Sequence, residues 1–179
     1  MNEIDILKDI STKLEHAGIS FMLSGSFAMA YYSQPRMTRD LDFVVELNKS
    51  SGSMVHELFR ESYYISKEAI EEAILHESMF NLIHTQSVIK VDFIIRKNHE
   101  YRLAEFERRE KITIADFATY IVSIEDLIIS KLIWMKDSHS EMQKNDIKAL
   151  LQAPHNRDYL DGWISKLMLT SALEELRHE

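Results

Sequence analysis

A chain of 179 residues is long enough for one domain with a sizeable hydrophobic core, or for one such domain with a helical annex. Its lack of cysteine excludes disulfides and thiolate metal sites, and its formal net charge of −8 argues against broad nonspecific binding to nucleic-acid phosphates. Because no apolar run approaches the roughly 20 residues that span a bilayer, and MNEIDILKDI does not have the pattern of a signal peptide, we expect a cytoplasmic protein without a membrane segment.

The first part of the chain alternates helix and strand patterns. EIDILKDISTKLEHAG has apolar residues at helical spacing and ends at Gly18, a natural helix stop. ISFMLS predicts a short buried strand, and Gly25-Ser26 leads from it into a helix, FAMAYYS, that must end before Pro35. DLDFVVEL predicts the second strand. Two helix patterns, SMVHELFRESY and KEAIEEAILHE, then precede two strands, MFNLIH and VIKVDFIIR, which the tight connection TQS joins.

The second part becomes helical. ITIADF and TYIVS predict brief extended pieces, and SIEDLIISKLIWMK begins a helical region in which Ser123 and Asp126 resemble a capping box. We therefore predict an α+β fold with a mixed β-sheet flanked by helices in residues 1–120. A C-terminal helical segment, residues 121–179, is expected to pack on that core, because no glycine-rich linker separates the two.

Acidic residues occur in two of the predicted strands. Successive side chains of a strand point to opposite faces, so Asp40 and Asp42 share one face while Leu41, Phe43 and Val45 share the other. VIKVDFIIR repeats this arrangement around Asp92. If the two strands pair, three carboxylates converge and can hold two divalent ions, preferably Mg²⁺, although Mn²⁺ is also compatible. A solvated turn is the alternative interpretation of an isolated D-x-D.

A second feature lies just before the D-x-D. Gly25 allows the backbone to approach a ligand closely, Ser26 offers a hydroxyl, and the following helix N-terminus directs free N–H groups toward an anion. This predicts a phosphate site, although the Walker motif is absent. The densest basic segment, FERREK with Arg108, Arg109 and Lys111, is interpreted as a solvated helix end rather than an RNA-binding patch.

Taken together, Gly25-Ser26, Asp40-x-Asp42 and Asp92 resemble the signature of the DNA-polymerase-β-like nucleotidyltransferase superfamily. The form RMTRDLDF is similar to small bacterial members related to abortive-infection toxins and to antibiotic nucleotidyltransferases. EDLIISKLIWMKDSHSEMQKNDIKALL is similar to the helical segment of poorly characterised bacterial members. The resemblance covers about residues 19–151 and implies a nucleotidyltransferase fold.

The resemblance also implies an activity and roles for individual residues. A nucleoside monophosphate would pass from a nucleoside triphosphate to an acceptor hydroxyl. Asp40 and Asp42 would bind two Mg²⁺ ions, with Asp92 completing the acceptor-side ion and able to take the acceptor's proton. Gly25 and Ser26 would hold the β- and γ-phosphates. Further nucleotide-binding candidates are Arg36, Thr38 and Lys131, the last because a charge inside the apolar run LIISKLIWM needs an anionic partner.

The sequence leaves several alternatives open. The acceptor is RNA such as tRNA, a small molecule or a protein, and a cognate antitoxin is a candidate partner. A catalytically idle nucleotidyltransferase fold that binds a partner, within a toxin–antitoxin system, is the alternative function. Glu141, Gln143 and Asp146 are spaced to share one helical face, which either faces the cleft or caps a helix bundle. Neither the nucleobase nor the oligomeric state is specified.

Overall fold

The structure is a computed structural model that describes residues 1–33, 40–138 and 140–178. Along the chain the elements are α1 (Glu3–His16), β1 (Phe21–Ser24), α2 (Gly25–Tyr32), β2 (Asp40–Val45), α3 (Lys49–Phe59), β3 (Tyr63–Tyr64), α4 (Lys67–His76), β4 (Met79–His84), β5 (Lys90–Ile95), α5 (Glu100–Glu107), β6 (Glu110–Ile114), β7 (Phe117–Ile121), α6 (Ile124–Ser138), α7 (Glu141–Leu150), α8 (Arg157–Lys166) and α9 (Thr170–His178). Among the described residues, no helix is both long and apolar enough to cross a membrane.

The described residues form two compact units. The first comprises those of Met1–Phe27 and Met37–Val122, and the second those of Ala28–Arg36 and Ser123–Glu179. The first unit contains a mixed seven-stranded sheet in the order β3-β4-β5-β2-β1-β7-β6. The β1–β7 and β2–β5 pairs are parallel, and the remaining neighbours are antiparallel. A mixed sheet with helices confirms the predicted α+β class.

The central strands separate apolar from acidic side chains. Leu41, Phe43 and Val45 of β2 are at most 1% exposed. On that face the Phe93 ring of β5 packs against Phe43, with centroids 5.9 Å apart, and against Phe59 of α3 at 5.8 Å. Burial of large aromatic side chains on one face holds the sheet in register. The opposite face of β2 is therefore the one that carries the carboxylates.

Several boundaries differ from the sequence-based expectation. The helix predicted from Ser53 begins at Lys49, because Asn48 caps it by accepting hydrogen bonds from the N–H groups of Ser50 and Ser51. ITIADF is not one extended piece. It contains the turn of the β6–β7 hairpin, with Ala115 in the left-handed region at φ 51°. The short strand β3 and the helix α5 were not predicted as elements.

The second unit is helical in its described part, with α6 to α9 as predicted from Ser123 onward. The predicted cap at Ser123 is confirmed, because its hydroxyl accepts from Asp126 N–H at 3.2 Å and donates to the Asp126 carboxylate at 2.6 Å. Tyr159 of α8 donates to the other oxygen of that carboxylate at 2.9 Å. These contacts fasten α8 to the start of α6.

Candidate active site

Two neighbouring strands bring the predicted acids together. β2 and β5 run parallel with Asp42 opposite Asp92 and Asp40 opposite Lys90. All four side chains lie on the face opposite the aromatic core, because they alternate with Leu41, Phe43, Val91 and Phe93 along the strands. Asp40 is exposed, Asp42 is half-buried and Asp92 is buried. The convergence of carboxylates expected from strand alternation is therefore present in the fold.

Gly25 lies against one of these acids. β1 pairs antiparallel with β2 and places Ser24 opposite Asp42, so the chain turns into α2 directly beside the Asp42 carboxylate. Gly25 has φ +58°, and a Cβ added there would lie 2.6 Å from Asp42 Cγ and 2.9 Å from Asp42 Cβ. Only glycine fits at this turn, both for its backbone conformation and for the space that Asp42 leaves.

The environment of Asp42 disfavours its negative charge. Burial raises the pKa of the Asp42 carboxyl above its usual range, and the charges of Asp92 and Asp40 raise this pKa further. The backbone N–H of Ser26 donates to the carboxylate and opposes the shift, as does the nearby ammonium of Lys90. A cation close to Asp42 would therefore relieve both the repulsion and the cost of burial.

Asp92 is held by two donors that sequence reasoning missed. Lys90 Nζ donates to Asp92 Oδ2 at 2.9 Å, and this hydrogen bond raises the pKa of Lys90. Asn81 of β4, which lies opposite Asp92 in the sheet, donates its amide N–H to Asp92 Oδ1. The alternation in KVD indicated that Lys90 and Asp92 share a face, and the tight TQS connection predicted that β4 and β5 are neighbours, but the register that puts Asn81 opposite Asp92 was not assigned.

The donor chemistry of the acid cluster fits a hard divalent cation. Asp40, Asp42 and Asp92 offer carboxylate oxygens, which are the ligands that Mg²⁺ prefers. In the part of the chain that the structure describes, no three His, Cys, Asp or Glu side chains are arranged as they stand to hold a metal ion. Among the described residues, the Lys90 ammonium lies in hydrogen-bond contact with Asp92 and near Asp40 and Asp42.

Lys131 lies in the second unit, where it forms a buried ion pair. Its ammonium donates to Asp146 Oδ2 at 2.7 Å and to Gln143 Oε1 at 3.1 Å, and the Lys131 and Asp146 side chains are only 6% and 7% exposed. The anionic partner expected for this buried lysine thus includes Asp146 of the same chain. Its predicted contact with a triphosphate stays a prediction.

Three other predicted features have different outcomes. Glu141 does not share the buried face of Gln143 and Asp146, because its side chain is 76% exposed and pairs with Lys144. The basic segment FERREK runs from the end of α5 into β6 and is not simply a solvated helix end, because Arg109 is half-buried with its guanidinium 4.4 Å from the centroid of the Phe106 ring. Arg36 and Thr38 fall outside the described residues.

Solved structures with this fold include antibiotic-modifying enzymes. The antibiotic-resistance factor ANT(2'')-Ia, in its solution structure, matches with a TM-score of 0.64 and 10% identity over 98% of this chain and 96% of that chain. The lincomycin-bound lincosamide adenylyltransferase LnuA matches with a TM-score of 0.54 and 16% identity over 84% and 96% of the two chains. A putative nucleotidyltransferase from Thermotoga maritima matches with a TM-score of 0.56 and 15% identity over 81% of this chain and 94% of that chain. At these identities the matches show a shared fold.

The family assignment comes from the sequence. No curated protein gives a significant match to this chain. The model of the family described as "Nucleotidyl transferase AbiEii toxin, Type IV TA system" matches residues 6–168, which is most of the chain. The match includes the strands that carry Asp40, Asp42 and Asp92 and all of α6 and α7. Together with the shared fold, it shows that the chain belongs to the AbiEii nucleotidyltransferase toxin family and is a nucleotidyltransferase.

Proposed function

We propose that the protein transfers a nucleoside monophosphate from a nucleoside triphosphate to an acceptor hydroxyl, with Asp40, Asp42 and Asp92 holding two Mg²⁺ ions. The observation that carries this proposal is the register of β2 and β5, which puts Asp42 directly opposite Asp92 on adjacent parallel strands. Asp40 lies two residues upstream on the same face. Clustered acids of this kind destabilise a fold unless a cation offsets their repulsion, so their presence supports a metal-dependent role.

The bound ions would activate the attacking oxygen and stabilise the leaving oxygen of an in-line phosphoryl displacement. Mn²⁺ is expected to substitute for Mg²⁺, since both accept carboxylate and water ligands. The protein's own contribution is to hold the carboxylates on a rigid pair of strands, with Phe43 and Phe93 packed on the reverse face. This packing fixes the spacing of the ligands before the substrate arrives.

Gly25 and Ser26 are proposed to receive the β- and γ-phosphates. They form the first turn of α2, where the helix dipole favours an anion. The Ser26 N–H that donates to Asp42 in the structure also ties this turn to the acid cluster. Arg36, Thr38 and Lys131 remain proposed contributors to triphosphate binding.

Asp92 is proposed to act on the acceptor side. Its carboxylate is the most buried of the three, and it is proposed to orient the acceptor hydroxyl and to accept its proton. Replacing it with Asn should leave nucleotide binding largely intact, because Asp40 and Asp42 remain. Turnover should fall by about a hundredfold or more, the usual contribution of a general base.

The acceptor is proposed to be a hydroxyl of RNA, such as a tRNA end, or of a small molecule. Two neighbours with this fold bind small molecules, lincomycin in the lincosamide adenylyltransferase LnuA and adenylyl-2''-tobramycin in ANT(2'')-Ia. The family description supports a toxin whose functional partner is a cognate antitoxin. The neighbours support the small-molecule class for this fold, and the RNA acceptor stays a proposal, so the assay must assume neither class.

The experiment is transfer of label from each α-labelled nucleoside triphosphate to components of a total bacterial lysate. Wild type should label RNA, protein or small molecules, and Asp92→Asn should abolish that label. Asp116→Asn is the matched control, since it removes the same charge from an exposed turn between β6 and β7. If wild type binds metal and nucleotide yet transfers no label, a partner-binding role replaces this proposal. If it binds neither ligand, the proposed site itself is refuted.

A further inference from the structure

Both carboxylate oxygens of Asp92 are engaged by groups of the chain itself. Oδ2 accepts from the Lys90 ammonium at 2.9 Å, and Oδ1 accepts from the Asn81 amide. Asp92 has little access to solvent, with a side chain that is 9% exposed. In this arrangement the negative charge of a buried carboxylate is neutralised by a lysine two residues away on the same strand.

A divalent cation and this ammonium compete for the same oxygen. A metal ligand at about 2.0–2.1 Å from Mg²⁺ must direct a lone pair at the ion, and a second positive charge in hydrogen-bond contact with that ligand repels it. Asp40 lies opposite Lys90 in the β2–β5 register, so the same ammonium also faces the other acidic strand. A metal ion bound between Asp92 and Asp40 would therefore lie close to the position of the Lys90 ammonium.

The two donors to Asp92 differ in how easily they can leave. Asn81 is neutral and sits in β4 directly opposite Asp92, so it can keep its bond to Oδ1 while Oδ2 binds a metal. The Lys90 side chain is 41% exposed and ends a flexible four-carbon stem. Lys90 is thus the donor that moves.

We propose that Lys90 is an internal counter-ion that occupies the acid cluster in the metal-free protein and is displaced from Asp92 when a divalent ion binds. This inference rests on the metal site of the proposed function. It assigns Lys90 two effects of opposite sign: the lysine stabilises the metal-free fold, and it lowers the affinity for the metal. A residue that only supported the structure would not raise metal affinity when removed.

The test measures Mn²⁺ binding through the electron paramagnetic resonance signal of the free ion, without nucleotide and without turnover. Lys90→Met should bind Mn²⁺ about five- to tenfold more tightly than wild type, since the ion no longer displaces a charge-assisted hydrogen bond. Lys90→Arg keeps the charge and should bind like wild type or more weakly. Lys97→Met is the control for net charge, because Lys97 is exposed beyond the far end of β5. Its affinity should match wild type.

Thermal unfolding in the presence of a chelator provides the second readout. Lys90→Met should melt below wild type without metal and should gain more stability from the same excess of Mn²⁺, because a ligand that binds only the folded state stabilises it by an amount that grows with the logarithm of its concentration divided by Kd. Equal or weaker Mn²⁺ binding by Lys90→Met overturns the counter-ion role while leaving the metal site intact. If wild type and all variants fail to bind Mn²⁺, the metal site of the proposed function falls, and this inference falls with it.

Discussion

Replacing Gly25 with alanine tests the contact between the turn before α2 and the acid cluster. The new Cβ would lie 2.6 Å from Asp42 Cγ and 2.9 Å from Asp42 Cβ, both inside the closest approach of carbon atoms. The Asp42 Cβ is fixed by the backbone of β2, so a rotation of the side chain cannot relieve the overlap. Either the turn or the strand must shift.

Two terms set the expected loss of stability. An alanine in the left-handed region at φ +58° costs roughly 1–2 kcal/mol. Overpacking against Asp42 adds roughly 1–3 kcal/mol, the usual range for forcing extra atoms into a packed site. We therefore expect Gly25→Ala to lower the free energy of unfolding by roughly 2–5 kcal/mol before the gain from a less flexible unfolded chain, about 0.4–1 kcal/mol, is subtracted.

Gly18→Ala is the matched control. Gly18 has φ +67° with nothing within 4 Å of its added Cβ, so this variant carries the backbone strain and the unfolded-chain gain without the overlap. Urea denaturation of both variants, with and without Asp42→Ala, isolates the contact. Gly25→Ala should be the more destabilised by roughly 1–3 kcal/mol, and Asp42→Ala should reduce that excess, since it removes the carboxylate. Equal losses in the two glycine variants would refute the reasoning.

Three further predictions concern other described contacts. Lys131→Met should destabilise the protein by roughly 3–5 kcal/mol in urea denaturation, because the buried Asp146 carboxylate loses the Lys131 ammonium. Adding Asp146→Leu should recover part of this loss. A loss below about 1 kcal/mol would contradict a strong ion pair. Asp42→Asn should raise the melting temperature of the metal-free protein at neutral pH. The folded-state pKa of Asp42 is raised, so its destabilising charge develops as the pH rises from the ordinary pKa of 3.8 through that higher pKa. The difference in melting temperature between Asp42→Asn and wild type should therefore vanish below pH 3.8. A constant difference across this pH range would contradict the prediction. Tyr159→Phe should lower the free energy of unfolding by about 1.5 kcal/mol, the low end for a hydrogen bond to a charged group, because it removes the bond to Asp126. An unchanged urea midpoint would show that this bond does not contribute to stability.

The sequence alone was sufficient to place the acids on a common face. Alternation of side chains along a strand is a local property, so DLDFVVEL and KVDFII each specify which residues face the core and which face away. The apolar faces of both strands are strong enough to fix this orientation, since a slip of one residue would expose Phe43 and Phe93. The helical character from Ser123 onward and its cap were equally local and equally predictable.

The tertiary structure decided what each of these side chains contacts. Asn81 reaches Asp92 because β4 pairs with β5 in one particular register, and Gly25 is required because β1 pairs with β2 beside Asp42. Lys131 finds Asp146 because two helices pack side by side. Each contact depends on how strands or helices pair, and the energy that selects a register comes from burial of the whole apolar face rather than from the residues in contact. Local patterns therefore determined the faces of the strands and helices, while only the assembled fold determined their partners.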